Sequence, residues 1–339
     1  MTLRTGAAAP SAAVSDRSED TLTLLITAWL IAGLFIDGYA HVNVIDTETE
    51  DFFTPWHAIF YSAFVSLAAW ITNVGRRRAH PGPILDWFPA GYRPAVVGLG
   101  IFALGGLGDA IWHTVFGVEI GIDALLSPTH LVLFTGSLLL LWTPVRAASA
   151  RRDPNPDIAI GAAVLTTALL VFFIEYLFLV SETWFVAVEF DPYTNVGWEH
   201  VSLFLAAVVV QVLVLTGPLL MVARRWQLPF GAATGSWTFV ALLEMYAFGR
   251  ESSGVQSLVI GGLVFDIAMR SVRFRPLAVA AFLGPAATFA TYFLVAARKH
   301  DFGWPPEIWT GAIVIAGFTG LGLVAVQESG RHEPITSTS

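Results

Sequence analysis

The sequence predicts an all-α, polytopic membrane bundle of about ten helices paired into five hairpins. Three observations carry that expectation. Hydrophobic residues make up 55% of the 339-residue chain and charged residues only 13%, with a mean hydropathy of +0.66. Soluble domains carry about 25% charged residues, so this chain lacks the polar surface to cover a water-exposed globule. Apolar runs of about 20 residues, the length that spans a hydrocarbon core, recur along the sequence. Finally, the eighteen Arg and Lys residues fall on alternate connections between those runs rather than on all of them.

The runs lie at 21–41, 54–74, 94–116, 127–147, 158–181, 197–223, 230–249, 254–271, 275–297 and 305–327. Pro55, Pro128, Pro229 and Pro276 stand at run starts, where a helix does not need the missing N–H. The first twenty residues, Ala- and Ser-rich with Asp16, Arg17, Glu19 and Asp20, and the segment 328–339 read as disordered tails around one domain at 21–327. The acidic N-terminal tail is not the basic region of a cleavable signal peptide. Fifteen of the basic residues, from Arg4 through the clusters at Arg76, Arg77, Arg78 and Arg151, Arg152 to Arg331, sit on one set of connections. Arg250, Arg298 and Lys299 sit on the other. The positive-inside rule then places both termini in the cytoplasm of a cell-membrane protein. The outer connections are acidic (Asp46, Glu48, Glu50 and Asp51 in the first; Glu182, Glu189 and Asp191 in the third), and Trp56, Trp112, Trp184, Trp198, Trp304 and Trp309 read as the outer aromatic belt.

Composition also excludes functions. With no Cys there are no disulfides, thiolate metal sites, iron–sulfur clusters or covalent c-type haem, and four Met make a thioether copper relay untenable. A net charge of −8 argues against nucleic acid as a partner. The glycine run GLGIFALGGLG at 98–108 precedes no strand–helix unit, so it reads as close helix packing rather than dinucleotide binding.

An internal repeat carries the ionisable residues. The first hairpin reads FIDGYAH followed by FFTPWHAIF, and the second reads GLGDAIWH followed by LLSPTHLVLF. Each gives Asp-x-x-x-His near one helix end and Ser/Thr-Pro-x-His at the next helix start: Asp37, His41, His57 and Asp109, His113, His130. An i, i+4 pair shares one helix face, and the first turn of the partner helix returns the third group to the same depth. The third hairpin repeats the pattern more loosely, with Glu175, Glu199 and His200; Glu244 and Gln256 stand in the fourth and Glu307 in the fifth.

Two readings compete for this layer: interfacial polar groups satisfied by water and helix ends, or a transition-metal site. Duplicated His and Asp groups in membrane segments favour metal, since ionisable side chains there are costly and default to function. The expected ligands are His41, His57, His113, His130 and His200, with Asp37 and Asp109 either coordinating or orienting the imidazoles. Copper, iron and zinc suit these donors, and a bis-His b-type haem is the alternative cofactor. Glu175 and Glu244, single acids in apolar helices, are candidates for proton handling, or else protonated side chains bonding a neighbouring helix. Arg250 and Glu251 read as an exposed loop-end pair.

The Asp-x-x-x-His…His pattern across a helix–turn–helix resembles the copper motif of the C subunit of the particulate methane/ammonia monooxygenase family. Asp37, His41 and His57 match it once, and Asp109, His113 and His130 a second time, with a longer gap between the two His than in that family. The resemblance implies copper binding by these side chains. The functional expectation is a membrane metalloprotein, with an oxidoreductase acting on a small apolar or lipid-soluble substrate as the leading form. A metal-handling transporter, or a non-catalytic membrane subunit, is the alternative. Partner subunits or an electron donor would accompany the enzyme form.

Overall fold

A computed structural model of the chain describes residues 13–44, 52–117, 119, 121–187, 190–191, 193–301 and 303–329. Arg4, Asp46, Glu48, Glu50, Asp51, Glu189, Arg331 and His332 lie outside the described residues. Twelve α-helices form in order: α1 (Arg17–Asn43), α2 (Pro55–Arg76), α3 (Arg93–Phe116), α4 (Ile122–Leu126), α5 (Pro128–Leu141), α6 (Thr143–Arg151), α7 (Asp157–Phe173), α8 (Asn195–Ala223), α9 (Ala232–Phe248), α10 (Ser252–Ser271), α11 (Pro276–Lys299) and α12 (Pro306–Ser329). No strand occurs among the described residues. Eight helical stretches are long and apolar enough to cross a membrane, with α5 and α6 counted as one; α7 is apolar but shorter.

Two boundaries differ from the sequence expectation. Helix α1 begins at Arg17, inside the stretch read as a tail, because its first turn is pinned by ion pairs. Arg78 Nη2 donates to Glu19 Oε2 at 2.7 Å, Arg17 Nη1 to Asp153 at 2.6 Å, and Arg151 to the fully buried Asp20. Helix α7 stops at Phe173, whereas the apolar run continues to 181. From Glu175 to Ala187 the chain proceeds as short 3-10 turns. Irregular backbone at membrane depth persists only where protein buries it or a cavity takes it up. Here the Glu175 carbonyl accepts from the Phe178 N–H at 3.0 Å within the first turn and from the Arg250 guanidinium at 3.1 Å.

Neighbouring helices pack as α1 with α2, α3 with α5, and α9 through α12 in succession, while α7 adjoins α1 and α5 on one side and α8 and α9 on the other, and α8 packs on α12. The glycine run packs closely, as expected. A Cβ on Gly98 would stand 2.9 Å from Leu139 Cβ, and one on Gly136 would stand 2.7 Å from the Phe102 nitrogen. Only glycine lets α3 and α5 approach this far. Of the expected aromatic belt, Trp184 and Trp198 are exposed. Trp304 departs from it: it is buried edge-on against Phe204 and His200, because the return from α11 to α12 folds inward over α8.

Candidate metal centre

The first turns of α2 and α5 are built alike. The Thr54 hydroxyl accepts the His57 N–H at 3.1 Å, and the Ser127 hydroxyl accepts the His130 N–H at 3.4 Å; Pro55 and Pro128 open the helices. A short polar side chain before Pro is a strong helix start, and it fixes the His three residues later on the first turn. Opposite each start stands the last turn of the preceding long helix, α1 or α3, carrying its Asp and His one turn apart.

Two groups result, Asp37, His41, His57 and Asp109, His113, His130, each offering three ligand atoms within 4.8 Å of one another. In the first, His41 Nε2 and His57 Nε2 approach Asp37 Oδ2 at 3.7 and 3.5 Å. In the second, His113 Nε2 and His130 Nε2 approach Asp109 Oδ1 at 3.5 and 3.0 Å. The groups adjoin. Ring centroids run His41 to His57 at 5.6 Å, His57 to His113 at 5.8 Å, and His113 to His130 at 5.8 Å, a continuous row of four imidazoles.

The opposite ring nitrogens decide the chemistry. His57 Nδ1 meets the Phe52 carbonyl at 2.8 Å, His113 Nδ1 meets the Gly117 carbonyl at 3.2 Å, and His130 Nδ1 meets the Ala124 carbonyl. A carbonyl oxygen only accepts, so each Nδ1 carries the proton and a neutral ring keeps its lone pair on Nε2. Those lone pairs point at carboxylate oxygens. Two acceptors face to face require a cation between them, either a proton or a metal ion. His113 Nε2 is buried and has no hydrogen-bond partner among the described residues. Nδ1 bonded to backbone and Nε2 left for the ion is the arrangement that orients metal-ligating histidines.

Other side chains complete the second group. The Tyr61 hydroxyl donates to Asp109 Oδ2 at 3.1 Å and the Thr129 hydroxyl to Asp109 Oδ1 at 3.2 Å. Tyr61 lies one turn beyond His57 on α2, so it links the two groups. Glu119 Oε2 lies 3.6 Å from His113 Nδ1, and both carboxylate oxygens are buried without a hydrogen-bond partner. The sequence reading missed Glu119 and Tyr61. Glu119 stands six residues after His113, outside the repeat, and Tyr61 looks like one more aromatic in an apolar helix; the i, i+4 spacing from His57 was the available signal.

All six repeat residues, with Tyr61, Glu119 and Glu175, line one cavity of about 360 Å³. Its opposite walls are apolar, including Leu34, Leu133, Phe134, Leu169, Phe172 and Phe248. The chamber therefore has a polar, nitrogen-rich end and a greasy end between α1, α5 and α7.

The remaining expected site residues lie elsewhere or act differently. His200 is not brought to the cluster: its ring stacks on Phe185 at 3.9 Å, its Nε2 meets the Phe185 carbonyl at 2.7 Å, and it lies outside both ligand groups and the cavity they line. Glu199, Gln256 and Glu307 are exposed. Glu175 reaches the cavity but pairs with Arg250, which also pairs with Glu182. Glu244 is fully buried on α9, and neither oxygen has a hydrogen-bond partner among the described residues. Arg250 and Glu251 are not a free loop-end pair. Arg250 holds two acids, and Glu251 accepts from Lys299 Nζ at 2.5 Å and the Thr183 hydroxyl at 2.6 Å. Sequence separation of some seventy residues hid both contacts.

No protein-family model, curated protein or solved structure matches the chain. The likeness to the monooxygenase C subunit is thus confined to the two Asp/His/His groups.

Proposed function

We propose that this chain is an integral-membrane metalloprotein whose two Asp-His-His groups hold transition-metal ions at the polar end of an apolar chamber. The observation that carries this reading is the paired geometry of the imidazoles: Nδ1 of His57, His113 and His130 tied to backbone carbonyls, and Nε2 of all four rings converging on one carboxylate oxygen in each group. His41, His57 and Asp37 would hold one ion, and His113, His130 and Asp109 the other, with copper the leading candidate and iron or zinc the others. A b-type haem is the weaker alternative, since a carboxylate beside each Nε2 suits a bare ion rather than a porphyrin iron.

On this reading the protein is an oxidoreductase for a small apolar or lipid-soluble substrate, which the greasy walls near Phe172 and Phe248 would accept. A bound redox metal would supply the electron chemistry. The chain's own residues do the rest: Tyr61 and Thr129 fix the Asp109 carboxylate, the backbone carbonyls fix the rings, and the aromatic walls exclude water. Glu175, at the cavity edge, and Glu244, behind it, are the proposed proton carriers. The repeat extends over the first two hairpins, and both termini face the cytoplasm.

One observation favours a transporter instead. Helix α7 breaks at Glu175 beside the cavity, and interrupted helices at a binding site are a feature of many secondary transporters. A non-catalytic metal-holding subunit requires only the ligand groups. Elemental analysis of the detergent-purified protein, with electron paramagnetic resonance, tests the common core of these readings. Two ions per chain are expected after loading and gel filtration. Retention of no metal, or full retention by a His57→Ala/His130→Ala variant, would overturn the metalloprotein reading. Loaded protein that moves the ion across vesicles would favour transport over catalysis.

A further inference from the structure

At the arginine-rich end of the bundle, Arg146 lies on α6 about 24 Å along the helix axis from His130, at 1.5 Å per residue. Its Nε donates to the Gly91 carbonyl at 3.2 Å, and its Nη2 donates to the Leu139 carbonyl and to Thr143 Oγ1, the latter at 3.1 Å. Nη1 has no protein acceptor among the described residues. Neither Arg146, Arg152 nor Arg225 forms an ion pair with a carboxylate among the described residues, although six other arginines do. These three gather with Arg224, whose Nη2 donates to the Gln327 carbonyl at 2.9 Å. Two adjoining clefts, of about 450 and 590 Å³, share Ser149, Arg225 and Trp226; Arg146 lines the first and Arg152 the second. Asp153, on the wall of the second, is already engaged by Arg17 and Arg151.

The Arg146 guanidinium is half-buried without a counter-charge, which is costly, and the exposed Arg152 and Arg225 add positive charge along the two adjoining clefts. The missing partner is an anion. Guanidinium forks match the oxygens of a phosphate, each in a bidentate, charge-assisted pair. The first cleft is also greasy on one side. Trp142 and Val145 line it with Met221, which is 48% exposed in the last turns of α8, where that helix would face lipid. A site that is cationic within and apolar toward the bilayer fits a phosphate that carries a hydrocarbon tail. Basic pockets between membrane helices bind anionic headgroups for this reason.

We infer that these adjoining clefts bind the phosphate of an anionic phospholipid, with Arg146 and Arg225 on the headgroup from the first cleft, Arg152 from the second, and the acyl chain along Trp142 and Met221. The site is independent of the metal groups at the other end, and it would anchor the α6–α8 junction in the leaflet that it faces.

Native mass spectrometry of the intact chain in detergent tests it, with phosphatidylglycerol, phosphatidylcholine and inorganic phosphate as probes. Wild-type protein should retain phosphatidylglycerol in preference to phosphatidylcholine. Arg152→Gln/Arg225→Gln, two exposed side chains whose loss leaves the packing intact, should weaken that retention about tenfold or more, as expected for losing charge-assisted hydrogen bonds. Arg270→Gln/Arg273→Gln makes the same change in net charge outside the cleft and should leave it unaltered. Equal retention of both lipids, or equal weakening by both double variants, would overturn the proposal. Complete displacement of phosphatidylglycerol by millimolar phosphate would assign the site to free phosphate and overturn its lipid source.

Discussion

Asp109 is held from three sides: His130 at 3.0 Å, Thr129 at 3.2 Å and Tyr61 at 3.1 Å. The two carboxylates should respond differently to the same change, because the Tyr61 and Thr129 hydroxyls bond Asp109. Asp37→Asn should weaken metal binding about 10–100-fold if that side chain orients the imidazoles. Asp109→Asn should cost more, because an amide must turn its NH2 toward a hydroxyl donor or toward an imidazole. Isothermal titration of the two variants measures both. Affinity should also fall in acid, since protons compete with the metal for the same imidazole lone pairs. His80→Ala, an exposed residue at the other end of the bundle, is the control that should change nothing. The ligand residues themselves were legible in the sequence because i, i+4 spacing and the Ser/Thr-Pro start are local rules. Glu119 was not, since a loop sets its position.

Among elements, the starts of α2 and α5 bear the most on the site. Thr54→Ala and Ser127→Ala each remove an N-cap acceptor, at a cost of about 1 kcal/mol. Each should lower the thermal midpoint and loosen one metal group while sparing the other, which differential scanning with and without metal would resolve. Gly136→Val is expected to be severe, because the Phe102 backbone stands 2.7 Å from where its Cβ would be. It should force α3 from α5 and separate His113 from His130, giving loss of one ion per chain. The turns after the broken α7 depend on acids at the loop ends. Burial pushes the Glu251 carboxyl up, but Lys299 and Thr183 outweigh that and hold it below the usual carboxylate range. A carboxyl lowered in the folded state stabilises above its unfolded value, about 4.3, and that stability is lost as the pH falls through the folded value. Thermal melts of wild type against Glu251→Gln should therefore converge in acid and diverge near neutrality.

For the whole molecule, ion pairs tie six helix ends into one arginine-rich face: Arg17 to Asp153 and Asp157, Arg78 to Glu19, Arg151 to Asp20, and Arg275 to Glu328. The two metal groups lie at the opposite end. With no native cysteine in the chain, single cysteines introduced one at a time give clean labelling. A cysteine at Ser149 should be blocked by reagents only after permeabilisation, and one at Tyr193, an exposed position, should react from outside. Reaction of both classes from the same side would overturn the proposed orientation.

Bilayer length, positive-charge bias and the duplicated Asp-x-x-x-His…Pro-x-His pattern were determined by the sequence alone, because hydrophobic transfer, helix periodicity and capping act over a few residues. Tertiary structure decided where the two groups sit relative to each other. It brought His57 and His113 to 5.8 Å across α2 and α3, supplied Tyr61, and kept His200 away. It also ended α7 at Phe173 and set Arg250, seventy-five residues on, against the Glu175 carbonyl and carboxylate in the turns that follow. Contacts of that kind depend on which faces of distant helices meet, and packing of glycine-lined surfaces, rather than any local rule, makes that choice.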